Sequence, residues 1–295
     1  MTKIAITLTL LILMAVGVYA QNAPTLRIVT EGPTLPSELF YGDIKVKPVR
    51  LRPGTNVRIT IDDSDFFVQQ HYIDFLSRFP EPAGFSSWLN YLNSEQQRCP
   101  SDPVCIHEAR ITTSSSFFLS QEFNLKGGYV FRFYKSSLGR VPTYAEMVAD
   151  MRSVTGTTAD EVNQKRTGFA TNWVLRADFL TAFPRSLTPT AFVDQISQAA
   201  GITLGNRSQI ISDLTAANNS DAGRAVAMRA IADSQEEQNK EFNTSFVYMQ
   251  YVGYLRRAPE QGGYDAWLTY LNAHPTDFRV MVHGFMDSIE YRNRF

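Results

Sequence analysis

The sequence predicts a mainly α-helical protein, a helical repeat or bundle of helix-turn-helix units preceded by a short extended segment. Three observations predict it. A 27-residue segment recurs near the C-terminus, apolar residues fall at helical spacing within it, and proline and glycine stand where its helices must stop. Composition agrees. The 295 residues are 44% apolar, 12% aromatic and 19% charged, whereas disorder requires fewer aromatics and more net charge. The 28 Lys and Arg against 29 Asp and Glu leave a net charge of -1, which provides no electrostatic footprint for nucleic acid or an anionic membrane.

Residues 1–20 read as a signal peptide. Lys3 precedes a nearly unbroken apolar run from Ile4 to Val18, and Val18-Tyr19-Ala20 places small residues at the two positions that a signal peptidase reads. The run is short for a membrane anchor, no second long apolar segment follows, and no Cys follows the leader to carry a lipid. The mature chain is therefore expected outside the cytoplasm, in the periplasm, at the cell surface or secreted, with no membrane span. Residues 21–60 form a Pro-rich extended segment. Leu26–Thr30 and Asp43–Lys47 alternate apolar and polar residues among Pro33, Pro36, Pro48 and Pro53, which suits short extended pieces and not a full β domain.

The first helical repeat unit spans 61–125. Asp62, Asp63 and Ser64 offer an N-cap and first-turn acids, and Val68, Tyr72, Phe75 and Leu76 share one helical face. Pro80 and Pro82 end that helix, Gly84 permits a tight path, and a second helix presents Trp88, Leu89 and Leu92. Cys99 and Cys105 enclose a turn-rich stretch. In an oxidising compartment they are expected to form a structural disulfide, contributing about 2 kcal/mol by closing a small loop. Neither zinc spacing nor a C-x-x-C redox spacing is present there.

Phe67–Asn93 aligns with Phe246–Asn272 at thirteen identical positions of 27, with the skeleton F-V-x3-Y-x3-L-x-R-x-P-E-x2-G-x3-W-L-x-Y-L-N. Phe117–Phe123 parallels Phe285–Tyr291, so each unit closes on S-x-E followed by an aromatic. Residues 126–240 hold a degenerate unit, with Val130, Tyr134, Leu138, Arg140 and Pro142 in register, then a helical spacer. Arg176–Phe179 echoes the closing motif. In the spacer, Thr188-Pro189 opens a helix to Gly201, Asn206 or Ser208 opens another toward Leu214, and Ala222–Gln238 reads as a further helix. The last unit spans 241–295.

This skeleton resembles the domain-of-unknown-function 4214 family, secreted bacterial helical modules often present in several copies. The F-F-L-S-Q-E-F motif at Phe117–Phe123 and the run from Phe246 to Pro259 strengthen the likeness, which covers about Ile61 to Phe295. The family is distantly similar to phycobilisome linker domains, so the resemblance implies scaffolding of other proteins and carries over no catalytic residue. The glycine-rich calcium repeats of its relatives do not occur in this sequence.

Candidate chemistry is sparse. His107-Glu108 begins a zincin motif, but Ile111 occupies the place of the second histidine. His71 and Asp74 lie three residues apart, and two ligands do not make a metal site. His274 and His283 have no acid or nucleophile evident beside them. No nucleophile elbow, phosphate loop or dinucleotide fingerprint occurs. The binding candidates are Arg78, Arg140 and Arg257 at the turns, with Trp88 and Trp267 on the second helices. As structure, each Arg would bond turn carbonyls or the S-x-E glutamate (Glu122, Glu290), and each Trp would fill the gap between helices. As function, they would hold a carboxylate or stack on a sugar. The chain is thus expected to be an exported, non-enzymatic binding or scaffold protein of the bacterial envelope, taking an envelope protein or a glycan as partner and no cofactor or metal. A carbohydrate or cell-wall module is the alternative, and an envelope hydrolase a more distant one.

Overall fold

The computed structural model describes Leu26–Val29, Glu38–Tyr41, Ile44–Lys45 and residues 50–295. The expected signal peptide lies outside the described residues, as does much of the Pro-rich segment. The chain divides after Lys47 into two units. In the first, β1 (Leu26–Val29), β2 (Glu38–Tyr41) and β3 (Ile44–Lys45) form an antiparallel sheet in the order β1-β2-β3. Leu26 stands opposite Tyr41, and Tyr41 opposite Ile44. Two of these strands fall in the alternating stretches read from the sequence. The third, E-L-F-Y, supplies both with a partner, and sheet pairing, not local pattern, makes it a strand.

The second unit, Pro48–Phe295, starts well before residue 61 because Arg52 ties the preceding loop to the first helix. Its guanidinium donates to Asp65 at 2.7 Å and to Asp63 at 2.8 Å. Asp63 is the N-cap residue of that helix. It makes no side-chain capping bond, because its carboxylate is taken by Arg52 and by the Thr60 amide at 2.7 Å.

The chain then runs four times through one order: a first helix, a left-handed residue, a second helix, a third, and a short fourth helix. Repeat 1 comprises α1 (Ser64–Leu76), α2 (Pro82–Arg98), α3 (Pro103–Phe118) and α4 (Gln121–Phe123). Repeat 2 comprises a π-helical turn, π1 (Asn124–Gly128), running into α5 (Tyr129–Leu138), then α6 (Tyr144–Ser153), α7 (Ala159–Trp173) and α8 (Ala177–Ala182). Repeat 3 comprises α9 (Pro189–Ala200), α10 (Arg207–Ala216), α11 (Asp221–Ala232) and α12 (Gln235–Lys240). Repeat 4 comprises α13 (Phe242–Gln250) running into π2 (Tyr251–Leu255), then α14 (Gln261–Ala273), α15 (Phe278–Met286) and α16 (Ile289–Arg292). The left-handed residues are Ser77, Gly139, Gly201 and Arg256, with φ of 54°, 64°, 63° and 53°. Each reverses the chain after its first helix.

The stretch read as a spacer therefore has the element order of its neighbours. The single helix expected over Ala222–Gln238 is broken at Asp233, because the Ser234 hydroxyl accepts from the Glu237 amide at 3.2 Å and starts a new helix. Ser120 and Ser288 do the same for Phe123 and Tyr291, each at 3.1 Å.

First helices form the centre. Tyr129 to Phe131 and Phe246 to Met249 are buried on all sides, as expected of helices with no solvent face. Repeats 1 and 4 pair through α1 on π2 and α3 on α15, and repeats 2 and 3 through α5 on α9 and α7 on α11. The pairs join where α13 meets π1. There the Tyr248 ring lies 5.2 Å from that of Phe131, and its hydroxyl donates to the Pro142 carbonyl at 2.9 Å. Close approach of α1 to π2 depends on Gly253, since a Cβ at that position would occupy the space of the Phe75 ring.

Among the described residues, most polar groups inside this core are paired. Asp74 accepts from Arg294 at 2.7 Å, from Arg256 at 3.0 Å and from Gln70 at 2.9 Å. Burial would raise its carboxyl, but the two arginines outweigh burial and hold it below the ordinary range. Glu237 and Gln250 have buried side-chain atoms that meet no partner. Burial, with Glu241 beside it, pushes the Glu237 carboxyl up to about 7.

Two outcomes are expected. Gly253→Ala should destabilise the fold by about 1–3 kcal/mol, through overpacking against Phe75, in a denaturant titration. Glu237 has a folded pKa above its unfolded one, so its protonated form supports the fold. That support is complete below about pH 4.5, falls as pH rises toward about 7, and is lost above. Glu237→Gln should therefore melt like the parent at pH 4 and above it at pH 8.

Candidate functional site

The sequence candidates are placed by the four corners. Arg78 follows the left-handed Ser77. Its Nε and Nη2 donate to the two Glu122 oxygens, both at 2.7 Å, and Nη1 donates to the Phe79 carbonyl at 3.1 Å and pairs with Glu81. The guanidinium lies 4.8 Å from the Tyr72 ring centre. Arg257 repeats this with Glu290 at 2.6 and 3.0 Å, the Ala258 carbonyl at 3.2 Å and the Tyr251 ring at 5.3 Å. The arginine fork thus binds the closing S-x-E motif to the corner, a bidentate geometry that lysine cannot reproduce.

Repeat 2 uses a different carboxylate for a steric reason. Arg140 lies 5.0 Å from the Tyr134 ring and donates to the Val141 carbonyl at 3.2 Å, but its fork takes Glu146 at 2.7 and 2.9 Å. Asp178 of the closing motif stands 4.0 Å away. In repeats 1 and 4 the place of Glu146 belongs to Gly84 and Gly263, where a Cβ would collide with the N-cap glutamate and the tyrosine hydroxyl. Thr143 is the N-cap in repeat 2, so a glutamate fits and closes a capping box on the Thr143 amide at 2.7 Å. The bond from Arg140, against the cost of burial, and those from Thr143 hold the Glu146 carboxyl at about 2. Repeat 3 has no arginine here. Glu236 instead accepts from the Gly205 amide at 2.9 Å.

Trp88 and Trp267 are half-buried, their rings 6.0 Å from Phe117 and 6.1 Å from Phe285. Among the described residues no hydrogen bond or ion pair joins any two of Arg78, Trp88, Arg140, Arg257 and Trp267. Cys99 and Cys105 form a disulfide between the end of α2 and the first turn of α3, where Asp102 caps the helix at 3.0 Å from the Val104 amide. His71 and Asp74 do not converge. His71 is fully buried, with Nδ1 at 2.8 Å from the Phe67 carbonyl and Nε2 at 2.8 Å from the Ser114 hydroxyl, which in turn bonds Tyr254. Burial pushes its pKa down to about 4, so the ring is neutral.

The surface feature that sequence reasoning missed lies on α11. Ala222, Val226 and Ala230 are spaced by four and form a ridge between two apolar grooves. The groove toward α7 encloses about 480 Å³ and includes Thr167, Ala170, Thr171 and Arg229. The groove toward α10 encloses about 330 Å³ and includes Ile210, Leu214 and Ala217. Val226 is 63% exposed on the ridge. The spacing was visible in the sequence, but alanines recur around this helix and conceal which face is left uncovered.

The exposure of each clamp orders the effect of breaking it. The Arg78 side chain is 16% exposed and that of Arg257 38%. Arg78→Lys should cost about 1–3 kcal/mol of unfolding free energy, and Arg257→Lys under about 1 kcal/mol, with helical content unchanged by circular dichroism.

Residues 225–295 match the family model described as Domain of unknown function (DUF4214). The match begins within α11 and takes in the whole of repeat 4. No curated protein and no solved structure matches the chain. The matched segment carries the R-x-P-E corner and the W-L-x-Y-L helix of the last repeat, and there the chain is similar to that family.

Proposed function

We propose that this protein is an exported, non-enzymatic scaffold that binds a protein partner of the cell envelope on the α11 face. The carrying observation is the ridge of Ala222, Val226 and Ala230 with an apolar groove on either side. A helix surface of ridges and grooves is what another helix packs on, and an uncovered apolar patch of this kind is where soluble proteins meet partners. Arg229, Asp213 and Asp233 give the grooves a charged rim. No aromatic side chain lines either groove, which disfavours a sugar as the occupant, since sugars are held by stacking on exposed rings. The repeated arginines and tryptophans support the same reading, because their partners lie inside their own repeats. Export is supported by the leader-like residues 1–20 and by the Cys99–Cys105 disulfide.

Co-sedimentation of the protein with insoluble cell-envelope fractions tests this. Binding should disappear after protease treatment of the fractions and survive glycan degradation. Val226→Glu should lower the bound amount at least roughly tenfold while melting within about 0.5 kcal/mol of the parent, as exposed substitutions do. Binding that survives protease but not glycan degradation would make this a carbohydrate module, and binding indifferent to Val226→Glu would remove the α11 face from the proposal.

A further inference from the structure

We propose that His107, His283 and Asp287 form a divalent transition-metal site of the zinc class between repeats 1 and 4, apart from the α11 face. His107 projects from α3, His283 from α15, and Asp287 follows at the C-cap of α15, one helical turn beyond His283. The two helices run antiparallel, since Arg279 reaches both Glu108 at 2.6 Å and Thr112 at 3.0 Å while His283 meets His107 one turn away. This crossing sets the imidazoles edge to face with centroids 5.0 Å apart. A single oxygen, Asp287 Oδ2, lies 3.4 Å from the Nε2 of each histidine, and the three ligand atoms fall within 4.8 Å of one another.

These separations suit a shared cation better than a hydrogen-bonded triad. Nitrogen-to-oxygen hydrogen bonds span about 2.7–3.2 Å, and the Nε2 of His107 is closed to solvent with no hydrogen-bond partner. Bonds of about 2.0–2.1 Å at tetrahedral angles place neighbouring zinc ligands about 3.4 Å apart. Right-angled octahedral bonds of that length would place them about 3.0 Å apart. Two imidazoles and one carboxylate favour zinc and its transition-metal neighbours over calcium or magnesium, which take oxygen. Glu108 is held by Arg279 and leaves the set at three protein ligands, with the exposed side of His283 and Asp287 open for a water as the fourth. A metal bound here links α3 to α15, so it stabilises the contact between the first repeat and the last.

The test uses the full, untagged chain with Cys99 and Cys105 oxidised, so that thiolates do not compete. Titration calorimetry with zinc should find one site, cobalt(II) should give the intense visible absorption of a tetrahedral complex, and calcium and magnesium should not bind. His283→Gln and Asp287→Asn, both at exposed positions, should weaken zinc roughly tenfold or more and abolish the zinc-dependent rise in melting temperature, with metal-free melting unchanged. His107→Gln should do the same to the affinity. Equal zinc affinity in parent and variants, or cobalt absorption of octahedral intensity in the parent, would overturn the site.

Discussion

Chain reversal after each first helix is the constraint on which the other contacts depend. A helix that stops in a left-handed residue turns its chain back at a defined angle, and the second helix starts five or six residues later. At two corners glycine takes that conformation without strain. Ser77 and Arg256 bear a side chain there, at a cost of about 1 kcal/mol, and the surroundings offset it. Arg256 in particular reaches across to the buried Asp74 of repeat 1, so the strained residue of one repeat neutralises the charge of another.

The closing motif makes each repeat self-contained. A carboxylate on or before the fourth helix accepts from the corner, directly through a backbone amide in repeat 3 and through an arginine in repeats 1 and 4. Repeat 2 satisfies the same corner from a glutamate seven residues past its left-handed residue, because a threonine cap leaves room that the other caps fill. What persists through these exchanges is a negative group opposite the turn. In repeat 2 the residue supplying it changes together with the adjoining glycine and cap, while the tyrosine under the arginine stays.

Pairing of repeats distributes the remaining features. Repeats 1 and 4 meet through a core of rings around Tyr254 and through the polar crossing of α3 and α15, which gathers two histidines and an aspartate from distant parts of the chain. Repeats 2 and 3 meet through α7 and α11. On the outer side of α11 the small side chains Ala222, Val226 and Ala230 leave an apolar ridge uncovered between α7 and α10. The two pairs have the same internal plan and expose different chemistry.

By itself the sequence determined the mainly helical class, the first and last repeats, the corner arginines with their glutamates, and the disulfide, because each rests on neighbours along the chain or on a spacing that recurs. Helical periodicity, proline stops, and repeated motifs are local signals, and local hydrogen bonding enforces them. Repeat 3 escaped notice because Ile202 and Ile196 stand where the other repeats have the corner Arg and its Tyr, although Ser234-Gln235-Glu236 keeps the closing S-x-E and Glu236 still meets the corner at Gly205. Other features were decided only in three dimensions. The strand at Glu38–Tyr41, the burial of His71, the uncovered ridge of α11 and the meeting of His107 with His283 all depend on which parts of the chain pack together. Packing partners more than a hundred residues apart leave no periodic trace in the chain, so only the tertiary structure could bring these groups into view.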